Sequence, residues 1–500
     1  MLDRLKQFLA RLSPEGSILE QTVKSGAWMG AMNVLSRGLQ LVMIVVLANL
    51  LEPADFGLMG IALLVLSGLR NVSDMGLNAA VIQRTDSNVD EYLNTMWVIE
   101  IVRGLVIAGV LVALAPVIAS VFDEPRATLV VRVVALSPLF MALRNPGIVY
   151  FKKRLNFHME FIYQMGGSVT RFAVSLGWAL VSPSVWALVA GLVLAEFTKT
   201  VISHLAHGYR PWPAFNLERA RELIDYGKWV TGNSILNFLS TEGDDAVVGW
   251  LLSSAALGFY QTAYRLSNAP ATEISQVIGG VMFPAFSSLQ EDAAALRDAY
   301  YRTLQLTMFV ACPAAFGIAA VADVFVRAFM GADWVPIIPL IQILSVYGLT
   351  RAIGQTMGPL WKAMGRPDYQ TKLSGLRVIL LALLVIPVTN AFGVEGTALL
   401  IVGVSVFPVL PVEVYLTVGI LDGSYRRLLR EMAYPLVAAG LMYATVVTVD
   451  GRAPLGDGVV EFGVLVATGV VVYAGLAGLM ALQFDWDIEE NIRSLAGAVG

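Results

Sequence analysis

Charged side chains inside long apolar runs are where this sequence can do chemistry. Arg37 lies in one such run and Arg70 with Asp74 in the next, followed much later by Glu242, Asp244, Asp245 and Arg265. A charge at bilayer depth is expensive, so such residues usually face a bundle interior or a water-filled cavity. Arginine suits phosphate, because its planar fork donates paired hydrogen bonds and it keeps its proton. Clustered carboxylates suit Na⁺, or a shared proton where burial raises one carboxyl pKa. Arg70 and Asp74 are four residues apart and would share a helical face, either as a working pair or as a merely neutralising one. Glu242 and Asp245 share a face by their spacing while Asp244 points elsewhere, and a structural or capping task is the competing reading for that group. Arg37 has no evident partner in its own run, which favours a functional task. At about 1.5 Å per residue, Arg37 and Arg70 both sit roughly 20 Å below the outer surface, and Arg265 is shallower.

Other ionisable residues carry weaker expectations. Arg103, Arg132, Arg144, Arg171, Lys199, Arg351 and Arg377 lie close enough to span ends to snorkel. Glu273 and Glu413 are buried candidates without a constellation. His204 and His207 fall one helical turn apart but in a loop without a third ligand, so no metal site is expected. The chain holds no phosphate-binding Gly-x-x-x-x-Gly-Lys-Ser/Thr loop, no His-Glu-x-x-His and no Gly-x-Ser-x-Gly, which argues against an enzyme of those classes. No resident cofactor is expected, with Na⁺ or H⁺ coupling as the open question. Asn71-Val72-Ser73 fits a glycosylation sequon but falls inside a span.

Membrane helices must position these residues. Hydrophobic residues make up 57% of the 500 and charged ones 14%, against roughly 25% in soluble domains. The runs predict an all-α polytopic membrane protein with about fourteen transmembrane helices. These fall near 26–50, 56–83, 93–122, 127–149, 161–182, 185–204, 229–252, 257–286, 303–326, 334–361, 374–391, 394–421, 432–449 and 459–483. Residues 1–25 read as a cytoplasmic segment whose Leu2, Leu5, Leu9 and Leu12 would lie on a membrane surface. The domain reading is then a six-helix half at 26–205, a cytoplasmic linker at 206–228 and a second half at 229–421. An accessory pair at 432–483 and a cytoplasmic tail at 484–500 complete it. Lys152, Lys153, Arg154, Arg210, Arg219, Arg221, Lys362, Arg366, Arg426, Arg427 and Arg430 crowd one side, facing Arg126, Arg327 and Arg452 on the other. The positive-inside rule then places both termini in the cytoplasm. Cys312 is the single cysteine, so no intrachain disulfide can form. Prolines within the spans, among them Pro138, Pro313, Pro359, Pro387 and Pro408, can seed kinks.

The chain also repeats itself. Laying 25–62 on 226–263 without a gap matches Gly26 to Gly227, Trp28 to Trp229, Leu35 to Leu236 and Val46 to Val247. It continues through Leu50-Leu51 to Leu251-Leu252, Ala54 to Ala255, Gly57 to Gly258 and Ala62 to Ala263. An even number of spans separates the copies, so they are parallel repeats, a known transporter plan with the substrate path between halves.

Two segments carry a family resemblance. Phe56-Gly57-Leu58, Asp74-Met75-Gly76-Leu77, Ala79 to Arg84 and Leu93-Asn94-Thr95 form the first. Asp244, Gly249, the run from Ala255 to Tyr260, Ala263 to Leu266 and Phe283-Pro284 form the second. Both resemble polysaccharide-exporting flippases of the Wzx type, within the multidrug/oligosaccharidyl-lipid/polysaccharide superfamily. The resemblance implies two six-helix halves plus two C-terminal helices, alternating access, and a lipid-linked oligosaccharide as cargo. It implies cavity arginines for the cargo phosphate, mapped by helix onto Arg37, Arg70 and Arg265, with Asp74, Glu242, Asp244 and Asp245 as coupling candidates. Trp250, where this branch often has a basic residue, and Glu242, where a neutral one is common, depart from the pattern. The partners implied are membrane lipids and a polysaccharide polymerase or glycosyltransferases, with no nucleic acid and a monomeric chain. A cation-coupled drug antiporter of the same superfamily is the alternative, disfavoured by midplane arginines. A membrane polymerase is disfavoured by the short outer loops.

Overall fold

The computed structural model describes residues 18–74, 76–77, 89–153, 156–451 and 458–483, all helix, turn or connecting coil with no strand among them. The amphipathic stretch at 2–12, residues 79–84, Arg154, Arg452, the 484–500 tail and the Glu273 side chain lie outside the described residues. Contacts divide the chain into two compact units, Met1–Gly258 and Phe259–Gly500.

The first unit contains α1 (Ile18–Ala48), α2 (Pro53–Val72), α3 (Val89–Val121), α4 (Ala127–Val134), α5 (Leu136–Ala142), α6 (Val149–Lys153), α7 (Phe157–Val181), α8 (Val185–Ala206) and α9 (Leu217–Leu251). Helix α10 (Ser254–Ser288) starts in it and runs into the second unit. There follow α11 (Ala293–Phe329), α12 (Ile338–Ala363), α13 (Asp368–Val404), α14 (Leu410–Leu421), α15 (Tyr425–Asp450) and α16 (Gly458–Gln483). Among the described residues nine helical stretches are long and apolar enough to cross a membrane, or ten if the bent pair at 127–142 and 146–153 is one span.

Helix starts follow local chemistry. Pro53 opens α2, where its missing N–H costs nothing. Asn216 caps α9 by accepting from the amides of Glu218 and Arg219 at 3.0 and 3.2 Å, and Asp292 caps α11 in the same way. Two expected spans are corrected. The second ends at Val72 rather than 83: Gly76 N–H donates to Asp74 Oδ1 at 3.0 Å and Gly76 takes a φ of 57°. An Asp-x-Gly turn satisfies the backbone there more cheaply than continued helix does. The fourth bends by 68° around a 3₁₀ turn at Pro146–Ile148, where Asn145 Oδ1 accepts from Gly147 N–H at 2.9 Å. The expected division between the eleventh and twelfth spans falls at Gly393, a non-helical kink (φ 65°) between two helices, and the twelfth carries a π-helical turn at Ser405–Val409.

The repeated turn packs on its own copy. A Cβ on Gly57 would collide with the carbonyl of Ser254, and one on Gly258 with the carbonyl of Pro53. Each would also come within 3.0 Å of the other glycine's amide nitrogen. Gly57 and Gly258, equivalent in the sequence repeat, therefore let α2 and α10 cross backbone to backbone. Around the crossing, Arg126 makes a two-point contact with Glu124 at 2.9 and 3.2 Å and approaches Asp55 at 3.6 Å. Ser254 donates to Glu124 Oε2 at 2.9 Å. The connection before α9 is also tied down: Asn94 Oδ1 accepts from Tyr209 Oη at 2.8 Å and from Trp212 N–H at 3.0 Å.

The core of the second unit is built on α11. Tyr300, Leu304 and Met308 are buried with Met357 and Trp361 of α12, with Leu428 and Met442 of α15, and with Leu465 and Tyr473 of α16. Tyr473 donates to the Phe309 carbonyl at 3.0 Å, so the C-terminal pair shares this core.

Candidate functional site: an arginine-lined cavity in the first unit

Three helices of the first unit bring cations to one cavity of about 480 Å³. Arg70 comes from the last turn of α2, Arg103 from the middle of α3, and Arg144 from the break after α5. Asn71, Asp74, Trp97, Glu100 and Asn145 supply its other polar lining. Helix α3 presents Trp97, Glu100, Arg103, Gly104 and Ile107 to the cavity at helical spacing, so one amphipathic face is turned inward. Gly104 allows the close approach of α5: a Cβ there would come within 2.8 Å of the Pro138 carbonyl oxygen.

The three arginines are held differently. Arg103 pairs with Glu100 one turn away at 3.1 Å. Arg144 pairs with Glu196 of α8, and its guanidinium lies 5.8 Å from the Tyr163 ring. Lys199 reaches the same ring at 5.8 Å while donating to Gln164 at 2.9 Å. Arg70 donates to the fully buried Ser137 hydroxyl at 3.1 Å and has no carboxylate within ion-pair distance among the described residues. Of the three, it alone lacks an ion-pair partner among the described residues. Three donors on the lining are buried without a partner among the described residues: Arg70 Nε, Arg144 Nε and Trp97 Nε1. Buried donors are normally satisfied, so three together on one cavity wall mark a place where an acceptor belongs.

The structure distributes the expected site residues as follows. Arg70 and Asp74 both line the cavity, but they do not form an ion pair. The helix has ended, and Asp74 closes the turn, its carbonyl accepting from Thr231 of α9 at 2.6 Å. Arg37 lies on α1, donates to Gln40 at 3.1 Å, and is not part of the cavity lining. Helix α1 packs on α7 through Trp28 and Phe161, whose ring centroids are 5.0 Å apart. Glu242 accepts a hydrogen bond from Ser67 of α2, Asp244 is buried and Asp245 half-buried. Arg265 is exposed on α10 in the part belonging to the second unit. Among the described residues no three His, Cys, Asp or Glu side chains are grouped to hold a metal ion. His204 contacts the Leu143 carbonyl at 3.0 Å, and His207 stacks on Tyr150 while accepting from Tyr209 N–H at 3.0 Å.

Arg103 and Arg144, which by sequence lie close enough to span ends to snorkel, line the cavity. One signal was available for Arg144: Asn145-Pro146 directly after it ends a helix within the apolar run, so its position is not a span end. Trp97, Glu100 and Glu196 carried no such mark.

The family described as "Polysaccharide biosynthesis protein" matches residues 46–339. The chain is 27% identical over 427 residues to the lipopolysaccharide biosynthesis protein WzxC of Escherichia coli K12, covering 84% of this chain and 85% of that one. It is 24% identical over 354 residues to the teichuronic acid biosynthesis protein TuaB of Bacillus subtilis 168, covering 70% and 73%. To the succinoglycan biosynthesis transport protein ExoT of Rhizobium meliloti it is 23% identical over 332 residues, covering 66% of each chain. Among solved structures, an inward closed conformation of the lipid II flippase MurJ superposes with a TM-score of 0.69 at 15% identity, covering 90% of this chain and 98% of that one. An inward-facing multidrug transporter of the MATE family follows at 0.63 and 12% identity, covering 77% and 94%. These likenesses establish the fold.

Proposed function

The chain belongs to the polysaccharide biosynthesis protein family, and from that premise we propose that it is a flippase for lipid-linked oligosaccharides, working by alternating access rather than by covalent catalysis. The observation that carries the reading is the first-unit cavity, with an arginine lacking a carboxylate and three unsatisfied buried donors. A phosphate or pyrophosphate linking lipid to sugar supplies the acceptors those donors lack. Arg70 is the primary contact, since it has no ion-pair partner among the described residues. Arg144 keeps its orientation through Glu196 and offers Nε, and Trp97 adds a neutral donor. The Glu100 and Glu196 pairs temper the positive field, so that the headgroup is held without becoming trapped. The lipid tail stays in the bilayer, which removes the need for a cavity large enough to enclose it.

Arg37 and Arg265 remain candidates for later contacts along the path, and Asp74, Glu242, Asp244 and Asp245 for Na⁺ or H⁺ coupling. We place the protein in the cytoplasmic membrane with both termini in the cytoplasm, acting as a monomer beside the polymerase and glycosyltransferases of its pathway. The names of the relatives, lipopolysaccharide, teichuronic acid and succinoglycan biosynthesis proteins, support a cell-surface glycan as the end product. The test is translocation in liposomes of a labelled polyprenyl-pyrophosphate oligosaccharide, read by its exposure to a sugar-cleaving enzyme outside. Protein-dependent flipping that Arg70→Ala abolishes is expected; equal rates in protein-free vesicles would overturn the function.

A further inference from the structure

Behind the cavity wall, one carboxylate of the first unit has two cations beside it and is paired with one of them. Glu196 of α8 holds Arg144 through Nη2, while Lys199 stands three residues further along the same helix. Helical side chains lean back over the preceding turn, so Lys199 shares a face with Glu196 and lies over the turn that carries it. Glu196 acts electrostatically on Lys199, and Arg144 acts on it with the opposite sign. Lys199 nevertheless makes no ion pair among the described residues. Its ammonium donates to the amide oxygen of Gln164 on α7 at 2.9 Å, and Gln164 Nε2 donates in turn to Glu160 at 2.9 Å. Gly167 of α7 makes room for this: a Cβ there would come within 2.9 Å of Cγ, Cδ and Cε of Lys199. The lysine is thus laid across α7 and held by a neutral acceptor, with a carboxylate one turn away taken by Arg144.

That carboxylate limits what Arg144 can do. A phosphate gains the paired, forked contact with this guanidinium when Nη2 lets go of Glu196. Letting go strands Glu196 as a charge without a cation, which is the costly step in a dry interior. A second cation one turn away removes that cost, because Glu followed three residues later by Lys is a favourable helical pair. Resting on the flippase reading, we propose that Lys199 is a positioning residue for cargo binding. It is parked on Gln164 while Arg144 holds Glu196, and it takes over Glu196 when Arg144 turns to the oxyanion. Lys199 is not part of the cavity lining and touches no cargo; it acts through Glu196. The exchange swaps one ion pair for another, and no proton or covalent bond moves.

Binding of a citronellyl-pyrophosphate disaccharide to the full-length protein in detergent tests the exchange through a double-mutant cycle. Lys199→Met should raise the Kd about tenfold, since Arg144 is then locked on Glu196. In a Glu196→Gln background the same Lys199→Met change should shift the Kd by less than about twofold, because the lock is gone. A merely structural lysine would not lose its effect with Glu196. A rise that persists in Glu196→Gln assigns Lys199 a direct charge effect and overturns the exchange, as does an unchanged Kd for Lys199→Met alone. Gln164→Leu has the opposite sign and serves where Lys199→Met lowers the Tm. It removes the parking acceptor, leaves Glu196 and both cations in place, and should lower the Kd about threefold. A Kd unchanged or raised in Gln164→Leu, or no binding of the probe to wild type, overturns the exchange. The flippase reading fails separately: a wild type that shows this cycle but moves no cargo in liposomes overturns that reading and leaves the exchange standing.

Discussion

At the scale of single residues, Arg70 and Trp97 carry the sharpest predictions. A hydrogen bond to a charged group contributes about 1.5–3 kcal/mol, so Arg70→Gln should slow flipping roughly 10–100-fold. Arg70→Lys keeps the charge but loses the fork and should fall in between. A liposome rate within twofold of wild type for Arg70→Gln would remove Arg70 from the site. Trp97→Phe keeps the aromatic surface and deletes only the unsatisfied Nε1 donor. It should weaken cargo binding by about fivefold, the effect of about 1 kcal/mol, while leaving Tm unchanged. Unaltered binding would mean that the Trp97 donor meets solvent rather than cargo. Residue types and their place in apolar runs are legible in the sequence, and they mark Arg70. Its partner was not legible. Arg70 and Asp74 look paired by helical spacing, but an Asx turn two residues past the end of α2 takes the carboxylate away.

At the scale of elements, the crossing of α2 and α10 can be tested directly. Gly57→Ala forces a methyl against the Ser254 carbonyl, and overpacking of this kind costs about 1–3 kcal/mol. A Tm lower by several degrees is expected for Gly57→Ala and, by the reciprocity of the contact, a similar drop for Gly258→Ala. A drop in only one of them would contradict the pseudo-symmetric crossing. The polar contacts beside it are pH-dependent. Hydrogen bonds from Arg126, and then from Ser254, hold the Glu124 carboxyl below its ordinary value of 4.5. A depressed carboxyl stabilises the fold above its ordinary pKa, and that contribution is lost as pH falls through the lowered value. The Tm advantage of wild type over Glu124→Gln should therefore be constant near neutrality and shrink only below pH 4.5. An advantage that already fades between pH 7 and 5 would mean that Glu124 is not held in this way.

At the scale of the whole molecule, transport must be driven. If the α9 carboxylates couple it to an ion, an imposed Na⁺ or H⁺ gradient should accelerate flipping in wild type but not in Glu242→Gln. Flipping indifferent to both gradients in wild type would leave cargo supply as the driving force. The contact of Glu242 with Ser67 makes the prediction specific, because protonation or ion binding at that carboxylate acts directly on α2, the helix that carries Arg70.

Alone, the sequence determined the class of molecule. Apolar run length and the scarcity of charge require an all-helical membrane protein, because only paired backbones survive in hydrocarbon. The Leu-Leu-x-x-Ala-x-x-Gly repeat carried enough identity to predict equivalent turns, and Gly57 and Gly258 meet as equivalents. Tertiary structure decided which charges share a cavity. Arg70, Arg103 and Arg144 are separated by dozens of residues, and no local period records that α2, α3 and the break after α5 converge. Arg37, equal to Arg70 in depth by residue count, lies on a helix packed on α7 instead. Depth along a span follows from counting residues, whereas the direction a helix faces depends on which neighbours bury its other sides.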